Sequence, residues 1–430
     1  MGQLFYIVKE RSQDLKFFHL ADLHFGKSIY GRSLIDDQAD WIIKFIELCK
    51  REDVDAVVVA GDVYDRAAPA ADAVRLLDTF VTGLRELEIP VLMVAGNHDS
   101  GDRLAFAKEL LKKEGLYIAG KVKKELDHIS IKEKNGSGEV TFWMMPYIFP
   151  EEVKSVLLDE DIRNYDQACR ALIGAQDIDP LKRNVLIAHQ NVIANGTEPE
   201  RGGSESMVGG VGEIDYSAFD AFDYVALGHI HSSYPVGREE VRYAGTPLCY
   251  HFEETRQKNK GALLVTIGEK GTDISVEHKM IAPLHKMEYL VSDYEDIIEE
   301  LKRRSSEDNK GIYYGIVIKD RRINPEISQY LRGLIENMDS YLMDLSSDHH
   351  EYSSVKNSAR MAEVKEKRLE ELFADLITRR CNDIPPSDEE FELLKYVSEI
   401  MDNSDIKEEI SESDIDKIIR KAGKIGGEAV

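Results

Sequence analysis

The residues best suited to chemistry in this chain fall in five short blocks: Asp22 and His24, then Asp62, then Asn97, His98 and Asp99, then His189, and last His229 and His231. All offer nitrogen or oxygen donors, and none is a thiol. Two divalent ions held about 3.5–4 Å apart need a carboxylate able to bridge them, with neutral imidazoles, an amide and further carboxylate oxygen around each. Asp22, His24, Asp62, Asn97, His189, His229 and His231 supply that mixture. Any one block is weak alone, because an isolated histidine or a Gly-Asp pair is usually structural. Together they predict two divalent metal ions, with a donor set suited to Mn, Fe or Zn and with Mn2+ as first choice. Such a pair polarises phosphoryl oxygens and activates a water for in-line attack at phosphorus. His98 is left out of the ligand set.

These blocks need elements that deliver them to one place. Apolar runs of strand length precede each block: 17–21, 56–60, 91–95, 185–188 and 224–227. The segments between them carry helical periodicity, as at 41–51 and 73–87, which predicts buried strands with helices packed outside. Donors placed just past the carboxyl ends of several strands match the way ligands collect in α/β sheets. Gly61, Gly96 and Gly228 each precede a donor, where the chain must turn sharply and pass close to the site. A second unit follows, with strand-like 314–318, a helical stretch 325–335 and strand-like 341–345. Beyond residue 352 the chain is charged and helical, with a break at Pro385 and Pro386 and Ser387 as a cap. The expected division is an N-terminal extension 1–15, a metal-binding domain 16–282, an α/β cap 283–351 and a helical region 352–430.

Composition narrows the class. Four cysteines lie far apart without a C-x-x-C pair, which argues against a zinc ribbon or a disulfide framework. No run of apolar residues is long enough for a membrane span, and a cytoplasmic location is expected. The net charge of -25 is unusual for a protein that touches nucleic acid, so metals, a local basic strip or a partner must meet the phosphates. Part of this acidity lies in residues 381–430, with 14 acidic against 6 basic residues on a helical pattern, either a solvated face or a docking surface. The glycine-rich loop 195–212 lacks a Gly-Lys-Ser/Thr ending and is not a P-loop; a flexible loop beside the metal site is expected. The other histidines read as structural or surface residues, and among them His251 alone stays open as a candidate.

The five blocks, written out as Asp22-Leu23-His24, Gly61-Asp62-Val63-Tyr64-Asp65, Gly96-Asn97-His98-Asp99, Ala188-His189 and Gly228-His229-Ile230-His231, resemble in order the signature motifs of calcineurin-like metallophosphoesterases. The run from Phe18 to Lys27, the run from Asp223 to His229, and Tyr243-Ala244-Gly245-Thr246-Pro247 resemble the SbcD-like nuclease branch more closely. The resemblance implies an α/β fold: a metallophosphoesterase β-sandwich with flanking helices, then a small α/β capping domain and a helical C-terminal segment. It implies that Asp22, His24 and His231 hold one metal, that Asn97, His189 and His229 hold the other, and that Asp62 bridges them. His98 would be the non-ligand histidine that serves the leaving oxygen, oriented by Asp99. It further implies 3′ to 5′ exonuclease action on double-strand ends and endonuclease cutting of hairpins or single strands. The partner would be an SbcC-type, SMC-like ATPase in a nucleoid-associated complex built on a homodimer within a heterotetramer, with docking helices in 352–430.

Two departures from that pattern stand out. Residues 1–15 precede the usual first strand, and Asp65 occupies a position where archaeal and eukaryotic relatives carry histidine. Arg66 keeps open a phosphomonoesterase, because Gly61 to Arg66 also resembles the Gly-Asp-x-x-Asp-Arg block of protein phosphatases. Asp99, in place of the glutamate usual there, and the Gly-His-x-His block favour the nuclease. A non-catalytic scaffold of the same fold predicts lost ligands, whereas every ligand position here is competent.

Overall fold

The computed structural model describes residues 14–134, 138–194, 212–257, 259–305 and 310–348, together with Phe391 and Lys395. The expected N-terminal extension up to residue 13, the glycine-rich loop 195–211, Ser387 and the docking helices beyond 352 lie outside the described residues. The described residues from 14 to 348 belong to one compact unit.

The apolar runs become strands because each is buried on both faces, which is why they read as continuous rather than alternating. Leu15–Leu20, Ala56–Ala60, Val91–Val94 and Leu116–Ala119 pair in parallel, and Gly261–Ile267 and Ser275–Met280 complete a six-stranded sheet on the other side of Leu15–Leu20. A second six-stranded sheet runs in the order Tyr234–Val236, Arg238–Tyr243, Tyr224–Gly228, Arg183–His189, Glu139–Met145, Asp127–Lys132. Its four middle strands are parallel. The donor-bearing strands are thus shared between two sheets, three in one and two in the other. The first strand begins at Leu15, two residues ahead of the expected run, because Leu15 is itself buried and pairs with Ile267.

The alternation along each strand builds the layers. Phe17, Ala56, Val58, Ala60, Leu92 and Val94 of the first sheet pack against Phe142, Met144, Val185, Ile187, Tyr224 and Ala226 of the second. The opposite face of the first sheet, through Phe18, Val57, Val59 and Met93, meets Trp41, Phe45, Leu76, Phe80 and Leu84. Those side chains come from the helices Ile35–Glu52 and Ala71–Glu86, where the sequence showed helical periodicity. The outer face of the second sheet buries Leu186, Ala188, Val225 and Leu227 against Cys169, Leu172 and Phe219. The result is a helix–sheet–sheet–helix sandwich. His19 ties its middle layer together, with Nδ1 on the Tyr224 hydroxyl at 3.0 Å and Nε2 on the Leu227 carbonyl at 3.1 Å. Burial pushes its imidazole down to about 3, so it stays neutral there, the structural role expected of it.

After the sandwich, Met287–Ser292, Tyr313–Ile318 and Tyr341–Ser347 form a three-stranded parallel sheet with the helices Tyr294–Ser305 and Pro325–Glu336. Asn324 caps the second helix by accepting from the Ile327 amide at 2.8 Å, with Pro325 in the first turn. Its core is separate and is built on Ile297, Leu301, Tyr314, Ile316, Leu331 and Ile335. Polar contacts join it to the sandwich: the buried Asp37 carboxylate accepts from the Tyr313 hydroxyl at 2.9 Å and lies 2.9 Å from His285 Nδ1. Arg32 lies 3.8 Å over the Tyr341 ring. Among the described residues no helix is long and apolar enough to cross a membrane.

Candidate metal centre

The carboxyl ends of Leu15–Leu20, Ala56–Ala60 and Val91–Val94 meet those of Arg183–His189 and Tyr224–Gly228 at one edge of the sandwich, and every residue expected in the site comes from there. Hydrogen bonds lock the turns to one another: the Asp22 amide donates to the Gly61 carbonyl at 3.0 Å, and the His24 amide to the Asp62 carbonyl at 2.9 Å. Four of the seven expected ligands, Asp22, His24, Asp62 and His229, have φ of 52°, 43°, 49° and 101°. Left-handed backbone is unfavourable for residues with a Cβ, and such outliers cluster at sites that the surrounding fold over-determines. Gly96 and Gly228 serve a different need. A Cβ at Gly96 would strike the Asp62 carboxylate, and one at Gly228 the Ala60 carbonyl. The close approach read from the sequence is thus met here.

Asp22, His24, Asp62, His189 and His231 are buried, His229 is partly so, and Asn97 and His98 stand on the exposed rim. Three groups of side chains bring potential ligand atoms within 4.8 Å of one another: Asp22, His24 and His231; Asp22, Asp62 and His189; and His24, Asp62 and His98. Asp62 lies centrally, with Oδ2 3.7 Å from His24 Nε2 and 3.5 Å from His189 Nε2. Asn97 Oδ1 is 3.0 Å from both His189 Nε2 and His229 Nδ1. The structure therefore gathers all seven donors in one basin, and places His98 Nε2 4.0 Å from Asp62 Oδ2.

The chemistry of the basin fits cations. Both ring nitrogens of His24 are buried without a hydrogen-bond partner among the described residues, although buried polar atoms are nearly always paired. The His189 Nδ1–H donates to the Ala60 carbonyl at 2.8 Å, which leaves Nε2 facing the basin as a donor to an ion. Burial pushes the Asp22 carboxyl up to about 7, with the Asp62 charge adding to the effect. Burial works against a charge on His189, yet the Asp62 carboxylate outweighs it and raises the imidazole to about 9. Burial lowers His24 and His229, the latter to about 3, so both present neutral rings. The basin thus favours added positive charge while keeping two imidazoles free to ligate.

Asp99 departs from its expected contact. Its carboxylate accepts from the Val63, Tyr64 and Gly96 amides at 3.1, 2.9 and 2.9 Å, while His98 Nδ1 faces the Asp65 carbonyl at 3.1 Å. Asp99 therefore shapes the loops that carry Asp62 and His98 rather than orienting the ring directly. Asp65 pairs with Lys27 at 2.7 Å and lies 3.7 Å from His24 Nδ1. His251 accepts from the Glu253 amide at 3.3 Å and is no part of the basin. Sequence reasoning missed Glu254, fully buried and 3.1 Å from His231 Nδ1, and Tyr147, whose ring lies 6.0 and 6.2 Å from those of His229 and His189. Tyr147 does lie two residues past a strand, Glu139–Met145, but that strand was not among the apolar runs read from the sequence, and a phenol is not a typical ligand for such ions. Glu254 lies in a 3-10 turn and offers no such cue.

Similar solved structures include GAP50, the anchor in the inner membrane complex of Plasmodium, at 14% identity, covering 63% of this chain and 88% of that one with a TM-score of 0.39. Another is TT1561 of Thermus thermophilus, at 12% identity, covering 62% of this chain and 99% of that one with a TM-score of 0.36. The family described as calcineurin-like phosphoesterase matches residues 15–233, half of the chain and the stretch that supplies all seven donors. The chain belongs to the calcineurin-like phosphoesterase family, and is a metal-dependent phosphoesterase.

Proposed function

We propose that this phosphoesterase is a DNA nuclease subunit of the SbcD-like kind, cutting phosphodiester bonds with two divalent ions, Mn2+ by preference. The observation that carries the metal chemistry is the basin itself, with its central Asp62 and the orphaned nitrogens of His24. Asp22, His24 and His231 would hold one ion, Asn97, His189 and His229 the other, and Asp62 both. Bound ions supply charge against the phosphoryl oxygens and acidify a water at neutral pH.

The chain's own residues do the rest. His98 stands on the exposed rim, its backbone amide donating to Asp62 Oδ1 at 2.9 Å and its ring Nδ1 3.1 Å from the Asp65 carbonyl, which together place the ring beside the Asp62 carboxylate. From there Nε2 can hold or give a proton at a leaving 3′ oxygen. Asn97 is exposed beside His98 on the same rim. Support for a nuclease comes from the Gly-His-x-His block, Asp99 and the α/β unit that follows the sandwich. An SbcC-type ATPase partner, joined to a homodimer through 352–430, would offset the net charge of -25.

The phosphomonoesterase alternative rests on Arg66, whose side chain is 82% exposed with Nε 3.8 Å from Asp65 Oδ2. The deciding experiment is Mn-dependent digestion of linear and hairpin DNA by the purified protein, alone and with the ATPase, beside a simple phosphomonoester. Cleavage of DNA that disappears in Asp62→Ala is the expected result. Monoester hydrolysis with DNA left intact under both conditions would move the assignment to a phosphatase.

A further inference from the structure

Glu254 sits in a short 3-10 turn, Phe252–Arg256, in the segment after the family match, and its side chain is fully buried. Buried carboxylates are rare unless every oxygen is paired, and this one is. Oε1 lies 3.1 Å from His231 Nδ1. Oε2 accepts from the Lys260 ammonium at 2.7 Å, the Tyr250 amide at 3.0 Å and the Thr246 hydroxyl at 3.4 Å. Lys260 in turn donates to the His231 carbonyl at 2.9 Å and to the Thr246 hydroxyl. The ring and the main chain of His231 are therefore gripped by one ion pair, its carboxylate fully buried and its ammonium partly so.

We propose that Glu254, pinned by Lys260, is a positioning residue for His231: it takes the Nδ1–H, turns Nε2 toward Asp22 and His24, and sets the affinity of that ligand set for its ion. This rests on the metal-centre reading above. A carboxylate behind a ligating imidazole fixes its tautomer and raises its basicity, and loss of such a partner typically costs about 10- to 100-fold in metal affinity. The other set depends on it in no comparable way, since His189 is held by the main-chain carbonyl of Ala60.

The test is calorimetric titration of Mn2+ into the metal-free full chain and into Glu254→Gln, which keeps the shape of the side chain. Thermal melting of each metal-free protein is followed in parallel. The wild type should take up two ions. Glu254→Gln should weaken one of them by about 10- to 100-fold, leave the other unchanged, and convert the paired Mn spectrum in electron paramagnetic resonance to that of a single ion at limiting metal. Glu254→Asp, which keeps the charge beside Lys260 but withdraws it from His231, should show the same selective loss should the glutamine variant fail to fold. Lys260→Arg should retain both affinities. Equal weakening of both ions, or unchanged affinities with a lowered melting temperature, would make Glu254 a structural residue and overturn the proposal. A wild type that binds no Mn2+ would overturn the metal-centre reading as well, an outcome visible before any variant is made.

Discussion

The two halves of the basin solve one problem by different means. His189 is oriented by a carbonyl in the middle of the sandwich, a group no side-chain substitution can remove. His231 is oriented by a side chain carried on a short turn outside the strands. Fixed backbone gives the first half rigidity, whereas the second owes its precision to an ion pair whose carboxylate is fully buried, and a buried carboxylate is costly to leave without its cation. The halves should therefore differ in how they tolerate change, and Asp62 between them should tolerate none.

The largest effect is expected at that shared residue. Asp62→Ala should reduce Mn2+ uptake at both halves and bring phosphoester hydrolysis below about a thousandth of wild type, since groups that act as a unit fail together. Calorimetry beside a turnover assay checks it; retention of one tight ion would show that the halves are independent.

Next is His98→Leu, on the rim. Turnover should fall by about 100- to 10,000-fold, the range for a lost proton donor, while both Mn2+ affinities stay near wild type. Metal loss in this variant would move His98 into the ligand set with His24 and Asp62.

Acidity offers a third probe. Asp22 is raised to about 7 and must lose its proton to ligate, so its half should bind Mn2+ more tightly as pH rises to about 7, and His189, at about 9, should extend that rise in the other half. The sign for the metal-free protein is opposite at Asp22. A carboxyl whose folded value is raised stabilises the fold below its unfolded value, near 3.8, and that contribution fades as pH climbs through about 7. The melting temperature gained on adding Mn2+ should therefore grow between pH 5 and about 7. A gain independent of pH would remove Asp22 from the ligand set.

The smallest effect lies far from both halves. Asn324→Ala removes a helix cap and should cost about 1 kcal/mol of stability, read by denaturant unfolding, with metal affinity untouched.

How far such behaviour could be foreseen depends on what each residue shows in one dimension. Val57, Val58 and Val59 are buried on alternating sides, against a helix layer and against the second sheet, so their run was legible as a strand without periodicity to help. Asp62 and His189 were legible because they end such runs. That the runs divide between two sheets came from the family resemblance and not from the runs themselves, since a buried strand looks the same whichever sheet it joins. Met287–Ser292 was not legible as a strand because all six of its residues are only half-buried, leaving neither an apolar run nor a clean alternation. Glu254 was hidden beside a second glutamate, Glu253, its importance residing in a contact with His231 and not in any local pattern. Asp99 stood out in its block, but its work on three main-chain amides could not be told from contact with the preceding His98.

The left-handed turns at Asp22, His24, Asp62 and His229 also bear on how this site can change over generations. Each such residue sits in a backbone region that costs about 1–3 kcal/mol, part of which a glycine would relieve, so selection for stability alone would work against these donors. Variants recovered only for heat resistance should accumulate glycine or asparagine at these four positions, whereas variants kept under demand for hydrolysis should not. The basin is a place where folding and function pull against each other, and the four backbone angles mark where function prevails.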